Sequence, residues 1–392
     1  MVPESSPGLR RRLVITQIMR FSISIPVLGQ ADLLPFALAS LAAQSEPFNV
    51  AVLDATRDDS IQQVVAKSGL HVAYHRHGPD RGQADAIAEG WRRVEGDIVG
   101  WLCADDYYYP DTFARVAKVF AEDPSADVVF GHAIHINRSG DFLEYFPSID
   151  DPSALRRGCC IPQPACFVRR AAVTRVGGLD TSRHYTMDWD LWLRLLRSGA
   201  TFRFVDAPLA ATRVYPETKT LSGASERYSE IWDLLSKYAS WPERVKSLIG
   251  FKYYDLVHRQ TGPSQTLSAL AFATAKGVRR LLSQPRRRRT VFGLECWTNR
   301  VEKDCEVAIP WWGPEAVEDA TIIADQIEAL DVVINGHPAY LSRSGSMYRY
   351  FGGREVLAHS FRVRIPGPST SFVSFRLSAN TPWTLYGISL GH

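Results

Sequence analysis

The sequence predicts an α/β protein with a mostly parallel sheet clothed by helices on both faces, followed by a helical segment and a small β-sandwich. Three observations carry this. Residues 21–131 alternate short apolar runs with stretches of helical periodicity, joined by short connections. The apolar runs end at polar residues along what would be one rim of the sheet. From Val291 onward, apolar runs are separated by Gly, Pro, Asn and Ser, the texture of antiparallel strands. With 392 residues the chain has room for two domains, each with a substantial core.

In order, residues 21–27 read as a strand and 32–44 as a helix, with Leu33, Leu34, Ala37, Leu38 and Leu41 at helical spacing. A second strand, 48–53, ends at Asp54; a helix over 60–68 and a third strand over 70–74 follow. Gly82 and Gln83 open a helix over 84–94. The run 98–104 is short enough for a buried strand and stops at Asp105 and Asp106, before three tyrosines and Pro110. A helix over 110–121 and a strand over 126–131 complete the alternation.

Two carboxylates at a strand's carboxyl end project into the crevice where α/β proteins bind ligands, and hard oxygen ligands suit Mg²⁺ or Mn²⁺. The same pair also reads as a turn and helix cap. Asp54 stands at an equivalent strand end, where a base or ribose would donate to it, although Thr56 to Ser60 make an equally good turn. Asp80 to Ile87 places charge and an amide at a helix start whose free N–H groups favour anions. Asp188 and Asp190 occupy the first turn of a helix in which Leu191 and Leu195, and Trp192 and Leu196, pair on one face. No Gly-x-Gly-x-x-Gly follows the first strand and no Walker loop occurs, which removes the main support for dinucleotide and P-loop readings.

A formal charge of +3 is too small to imply a nucleic-acid binder by itself, and none is expected. The local excess at Arg279, Arg280 and Arg286 to Arg289 suits anionic lipid heads, phosphates or water. Six cysteines lack zinc-site spacing, so reduced cytosolic thiols are expected, with Cys103 packed as a small hydrophobe in its strand. Neither a run of about twenty apolar residues nor a signal peptide is evident. A cytoplasmic protein follows, peripheral on the inner membrane face if the arginines meet lipid. Residues 1–18 look unstructured, and Met19 is a candidate true start.

Taken together, the Pro-containing first strand, Asp54, Asp-Arg-Gly-Gln-Ala-Asp-Ala-Ile, Gly-Asp-Ile-Val-Gly-Trp-Leu-Cys-Ala-Asp-Asp, Gly-Gly-Leu-Asp and Met-Asp-Trp-Asp-Leu-Trp-Leu-Arg resemble family 2 glycosyltransferases of the GT-A fold, over residues 20–222. The resemblance implies a nucleotide-diphosphate-sugar donor, Mn²⁺ or Mg²⁺ held at an Asp-x-Asp-like motif, and inversion at the anomeric carbon. It implies Asp188 as general base and Asp106, with Asp105, as metal ligand. Pro26, Asp54, Gln83, Asp85, Asp105, Arg213 and Lys219 fall on the donor side, and Gln163, Trp189 and Asp190 on the acceptor or sugar pocket. The motif departs from the family at its first acidic position, which is missing, and Tyr215 stands where many relatives have His.

The expected organisation is a disordered extension (1–18), a GT-A domain (19–224), a helical segment with basic linker (225–290) and a β-sandwich accessory domain (291–392). Within the helical segment, 266–282 suits an interfacial helix or one packed on the catalytic domain. Asn335-Gly336 is a hairpin signal, and Trp311, Trp312, Tyr348, Tyr350 and Trp383 suit sugar stacking or core packing. The expected function is an inverting glycosyltransferase acting on a glycan or lipid-linked acceptor in polysaccharide biosynthesis. Alternatives are a non-catalytic glycan-binding protein on the same fold and a sugar nucleotidyltransferase, the latter without the Gly-rich, Arg-containing loop it needs.

Overall fold

The structure is a computed structural model describing residues 19–146, 148–258, 290–292, 294–295, 299–312, 317–325, 330–351, 354–369 and 372–391. The N-terminal extension, the 266–282 stretch and the arginines of 279–289 lie outside the described residues.

Strands β1 (Phe21–Val27), β2 (Phe48–Asp54), β3 (Tyr74–His77) and β4 (Ile98–Trp101) form a parallel array in the order β3-β2-β1-β4. Every residue of β1 is buried, as a central strand covered on both faces requires. Pro26 fits this central strand because of where it falls. The Ser24 carbonyl accepts from Leu102 N–H and the Val27 carbonyl from Ala55 N–H, so residue 26 faces the β4 side beyond Trp101, where β4 has ended and no ladder bond is lost. The third strand lies later than the sequence indicates, at Tyr74–His77 rather than 70–74. It is an edge strand of alternating half-buried and exposed residues, with no apolar alternation to announce it.

Helices α1 (Leu34–Ala42), α2 (Ser60–Ser68), α3 (Gln83–Arg93) and α4 (Thr112–Glu122) connect these strands and the next. Small polar groups let α3 approach β1 closely: Ser22 and Ser24 donate to the Val94 and Ile87 carbonyls, and a Cβ on Gly90 would lie 2.3 Å from Ser24 Oγ. Beyond β4 the sheet becomes mixed. After β5 (Tyr107–Tyr108) come β6 (Val128–Ile136), β7 (Phe142–Tyr145), β8 (Cys166–Arg169) and β9 (Phe202–Arg213). Antiparallel β8 lies between β4 and β6, while β9 runs parallel to β6 and antiparallel to β5. Helices α5 (Arg170–Arg175), α6 (Met187–Arg197), α7 (Lys219–Ser222), α8 (Ala224–Ser236) and α9 (Trp241–His258) complete this part.

Three indoles join helix to sheet. Trp101 of β4 meets Trp91 of α3 edge-on at 5.5 Å and stacks on Trp192 of α6 at 5.8 Å. All three are buried.

The C-terminal part begins with β10 (Thr290–Val291), β11 (Leu294–Glu295) and β12 (Arg300–Val301), then β13 (Asp304–Pro310), β14 (Val317–Ala324), β15 (Asp331–Ile334), β16 (His337–Ala339), β17 (Leu341–Phe351), β18 (Arg354–Ser369), β19 (Phe372–Ser378) and β20 (Trp383–Leu390). One layer pairs β17 with β18, β18 with β14 and β14 with β20; the other is ordered β13-β19-β15-β16. Val307, Ile309 and Phe375 of one layer share a core with Ile322, Val363 and Ile388 of the other. The β15–β16 hairpin turns at Asn335 and Gly336, both with positive φ (49° and 82°), as a two-residue hairpin turn requires. Trp383 is buried, so it belongs to the core, and the half-buried Trp311 and Trp312 pack against it.

That core also takes in Tyr107, Tyr109, Phe142 and Tyr145 of the α/β part. Tyr109 OH donates to the Ala308 carbonyl (2.6 Å), Tyr145 OH to that of Glu306 (3.1 Å), and Trp312 Nε1–H to that of Tyr108 (3.2 Å). The sandwich therefore buttresses the chain immediately after Asp106.

Truncating Trp192 removes one face of the Trp101 stack, and Trp192→Ala is expected to lower unfolding stability by about 3–5 kcal/mol. Urea denaturation of the full chain measures this; a loss below about 1 kcal/mol would show that the stack does not join α6 to the sheet.

Candidate active site

The carboxyl end of β4 lies where an open α/β sheet forms its ligand crevice. Gly100 and Trp101 complete the buried strand, and the chain then turns through Cys103 to Asp106, with Asp106 N–H donating to the Cys103 carbonyl (3.1 Å). Asp106 is buried; its Oδ1 accepts from Arg213 N–H at 3.0 Å. Asp105 Oδ2 accepts from the Tyr215 hydroxyl at 2.9 Å. Burial pushes the Asp105 carboxyl up, and Asp106 is pushed well above the usual carboxylate range by burial and then by the charge of Asp105. Two adjacent carboxylates held this way, one buried and one half-buried, are short of positive charge.

Cys103 is not the core thiol its strand suggested. It is half-buried at the rim, where its sulfur accepts from Gln83 Nε2 (3.3 Å) and donates to Gln163 Oε1 (3.6 Å). Its Sγ lies within 4.8 Å of the Asp105 and Asp106 ligand oxygens, a group that could hold a metal ion among the described residues. Burial, Asp106 and Asp105 keep this thiol protonated, so the two carboxylates are the donors that suit Mn²⁺ or Mg²⁺. The under-compensated charge of the pair fits a divalent cation.

Asp188 stands in the first turn of α6. Its Oδ1 accepts from Trp189 N–H (2.7 Å), and burial raises the carboxyl to about 6. Its charge acts on the thiol of Cys103, as do those of Asp105, Asp106 and Lys219, so the segments 103–106, 188 and 219 share one environment. Lys219, at the start of α7, donates to Gln83 Oε1 (2.9 Å), and its Nζ lies 6.0 Å from the Tyr185 ring centroid. Burial lowers its pKa, opposed by Cys103, Asp188 and Glu230. Gln163 forms the floor by donating to the Trp101 carbonyl at 2.7 Å.

Several expected roles change. Trp189 does not shape an acceptor pocket: its ring is buried beside Phe251 and its Nε1–H donates to the Leu155 carbonyl at 2.7 Å. Asp190 is also buried, paired with Arg194 (2.6 Å) and Arg183 (3.3 Å), because residues 189 and 190 rotate to the core side of α6. The Arg213 side chain does not reach into the crevice. It is buried, with its guanidinium 5.1 Å from the Phe36 ring and 5.5 Å from that of Tyr107, beside a small cavity closed by Trp311 and Trp312. Its backbone N–H bonds Asp106 and its guanidinium acts on Asp106 and Asp105 by charge from behind, whereas Lys219 is the cation of the 213–220 stretch that acts on Asp188.

Asp54 is fully buried, with Oδ1 taking Thr56 N–H (2.8 Å) and Oδ2 meeting His77 Nδ1 (2.6 Å). Asp85 is held by Arg81 (2.8 Å) at the start of α3. Pro26 contributes no polar side chain; it is the penultimate residue of β1, ahead of the loop where Gly29 N–H donates to Thr56 Oγ1 (2.9 Å). Sequence reading missed Glu230, which binds the chain ahead of Asp188; it lies beside the apolar positions of α8 and carries no local signal.

Residues 22–173 match the family model described as glycosyl transferase family 2. The chain is 32% identical over 187 residues to a PGL/p-HBAD biosynthesis glycosyltransferase of Mycobacterium bovis, covering 46% of this chain and 71% of that protein. This chain belongs to glycosyl transferase family 2. It is also 25% identical over 243 residues to an uncharacterized glycosyltransferase of Rickettsia felis, covering 57% of this chain but 39% of that protein. Among solved structures, it is similar to the mannosyltransferase PcManGT from Pyrobaculum calidifontis in complex with GDP-Man and Mn²⁺, at 16% identity and a TM-score of 0.47, over 67% of this chain and 76% of that one. No helix among the described residues is long and apolar enough to cross a membrane.

A carboxyl pair pushed upward stabilises the fold while protonated, and that contribution is lost as pH rises through its titration. Asp106→Asn is therefore expected to match or exceed the wild-type melting temperature at neutral pH in chelator, and to lose the stabilisation that Mn²⁺ gives the wild type. Differential scanning fluorimetry with and without Mn²⁺ reads both effects; an equal Mn²⁺ shift in the two proteins would remove Asp106 from the metal site.

Proposed function

We propose that this chain is an inverting, metal-dependent glycosyltransferase. It would move a sugar from a nucleotide-diphosphate-sugar to a hydroxyl of a glycan or lipid-linked acceptor in polysaccharide biosynthesis. The observation that carries the reading is Asp188, a carboxyl raised to about 6 whose charge meets those of Asp105, Asp106 and Lys219 at Cys103. The biosynthetic name of the Mycobacterium bovis relative supports it.

In this mechanism an acceptor hydroxyl attacks the anomeric carbon from the face opposite the diphosphate. The new C–O bond forms as the bond from that carbon to the diphosphate oxygen breaks, so the configuration inverts. Asp188 takes the hydroxyl proton, and a base that is largely ionised at neutral pH yet titrates near 6 suits that task. Lys219 and the free N–H groups at the start of α3 meet the departing negative charge. Asp105 and Asp106 would hold the divalent cation, which supplies Lewis-acid charge to the diphosphate when bound. With both Asp54 oxygens already engaged, His77 is the group through which this strand end would meet a nucleobase.

Asp188→Asn is expected to keep the fold and donor binding while transfer falls about 10²- to 10⁴-fold. A panel of nucleotide sugars with Mn²⁺, read as released nucleoside diphosphate, tests this, and near-normal turnover in the variant would refute the assignment. An intact donor across the panel would favour a glycan-binding protein on this fold.

Because the base acts in its ionised form, kcat/KM should rise with pH through a midpoint near 6 in the wild type. A flat profile from pH ~5 to ~8 would assign proton removal to another group.

A further inference from the structure

Glu230 holds the segment from which the helix of Asp188 starts. Its carboxylate accepts from the backbone N–H groups of His184 (3.0 Å), Tyr185 (2.9 Å) and Thr186 (2.7 Å), and from the Thr186 hydroxyl (2.7 Å). Thr186 is the N-cap of α6, a position whose hydroxyl ordinarily accepts from the first helical turn. Here it donates to Glu230 and makes no capping bond to the helix. One carboxylate on three successive N–H groups fixes the peptide planes leading into α6. Asp188 follows Thr186 by two residues, and its Oδ1 is already committed to Trp189 N–H. The direction of its other oxygen is thus set by how the helix begins.

Glu230 also lies just after the stretch that contacts the metal-candidate pair. Tyr215 lies on Asp105, Lys219 on Gln83, and α8 follows α7 directly through Gly223. The Tyr185 ring packs against that glycine so closely that a Cβ there would stand 2.5 Å from its Cε1. Segment 215–230 therefore touches the metal-candidate pair, the start of α3 and the root of α6 in turn.

We propose that Glu230 is the positioning residue for the general base, setting the orientation of the Asp188 carboxylate from the helix that follows segment 215–222. The inference rests on the assignment of Asp188 as base. Glu230 also acts on Asp188 by charge, raising its carboxyl pKa, while Lys219 lowers it. The thiols of Cys103, Cys159 and Cys166 face the same carboxyl. Glu230 itself is faced by the N–H groups and hydroxyl above, which with their hydrogen bonds lower its own pKa.

The test uses the full chain carrying Glu230→Gln, which keeps the size and one acceptor oxygen but removes the charge. Turnover is expected to fall about tenfold or more, with donor KM within about twofold. Removing a negative neighbour eases ionisation of Asp188, so the acid-limb midpoint of kcat/KM should move to lower pH. Carboxyl-carbon NMR of Asp188 in the unliganded protein should show the same downward movement. Asp233→Asn, which breaks an ion pair between Arg183 and a largely exposed carboxylate, should leave the wild-type midpoint unchanged. Wild-type turnover and midpoint in Glu230→Gln would overturn the proposal, as would a loss that follows only the folded fraction with the midpoint unmoved. If the wild type processes no donor, the glycosyltransferase reading falls, and the NMR titration still decides whether Glu230 governs Asp188.

Discussion

The stack of Trp101 on Trp192 is the contact on which the crevice depends. Trp101 ends β4 just before the chain reaches Cys103, Asp105 and Asp106, and Trp192 lies one helical turn after Asp188. The two halves of the site are far apart in sequence, yet each is short and rigidly joined to one of these rings. Trp91 closes the stack from α3, whose first turn supplies Gln83. Strand end, base and amide are thereby indexed to one buried aromatic cluster.

Burial acts differently on the three crevice carboxylates. Burial raises both Asp105 and Asp106, and the charge of Asp105 raises Asp106 further, a condition that a bound cation relieves. At Asp188 the hydrogen bond from Trp189 N–H and the charge of Lys219 oppose the effect of burial, so the group settles near 6. The same physical cause can thus prepare one pair to hold a metal and a single group to take a proton. Arg213 supports the pair from behind: its backbone N–H bonds Asp106, while its guanidinium is packed between Phe36 and Tyr107. The sandwich seals that arrangement through Trp312 and the backbone of β13, so it is joined to the α/β part rather than hung from it.

Much of this was legible in the sequence. The strand ending at Asp105–Asp106, the first-turn position of Asp188 and the alternation of apolar runs with helical periods depend on neighbours within a few residues, where periodicity and turn chemistry act. Asn335-Gly336 likewise announced its hairpin. Strand β9 gave little warning because its burial comes from lying between β5 and β6, not from alternation of its own. Trp189, Asp190 and Arg213 carry side chains that would suit a sugar or phosphate pocket. Which way each one points was decided by the rotation of α6 and by the packing of Phe36, Tyr107 and the sandwich.

By itself the sequence determined the kinds of groups available and the local elements that carry them, because hydrogen bonding along a helix or at a strand end is set over short distances. Only the tertiary structure decided which of those groups meet. It brought Cys103 to the rim, gave Asp54 to His77, and set Glu230 under the root of α6. Burial and the field of distant charges exist only once the layers have packed, and they fix both the direction of a side chain and its readiness to hold a proton.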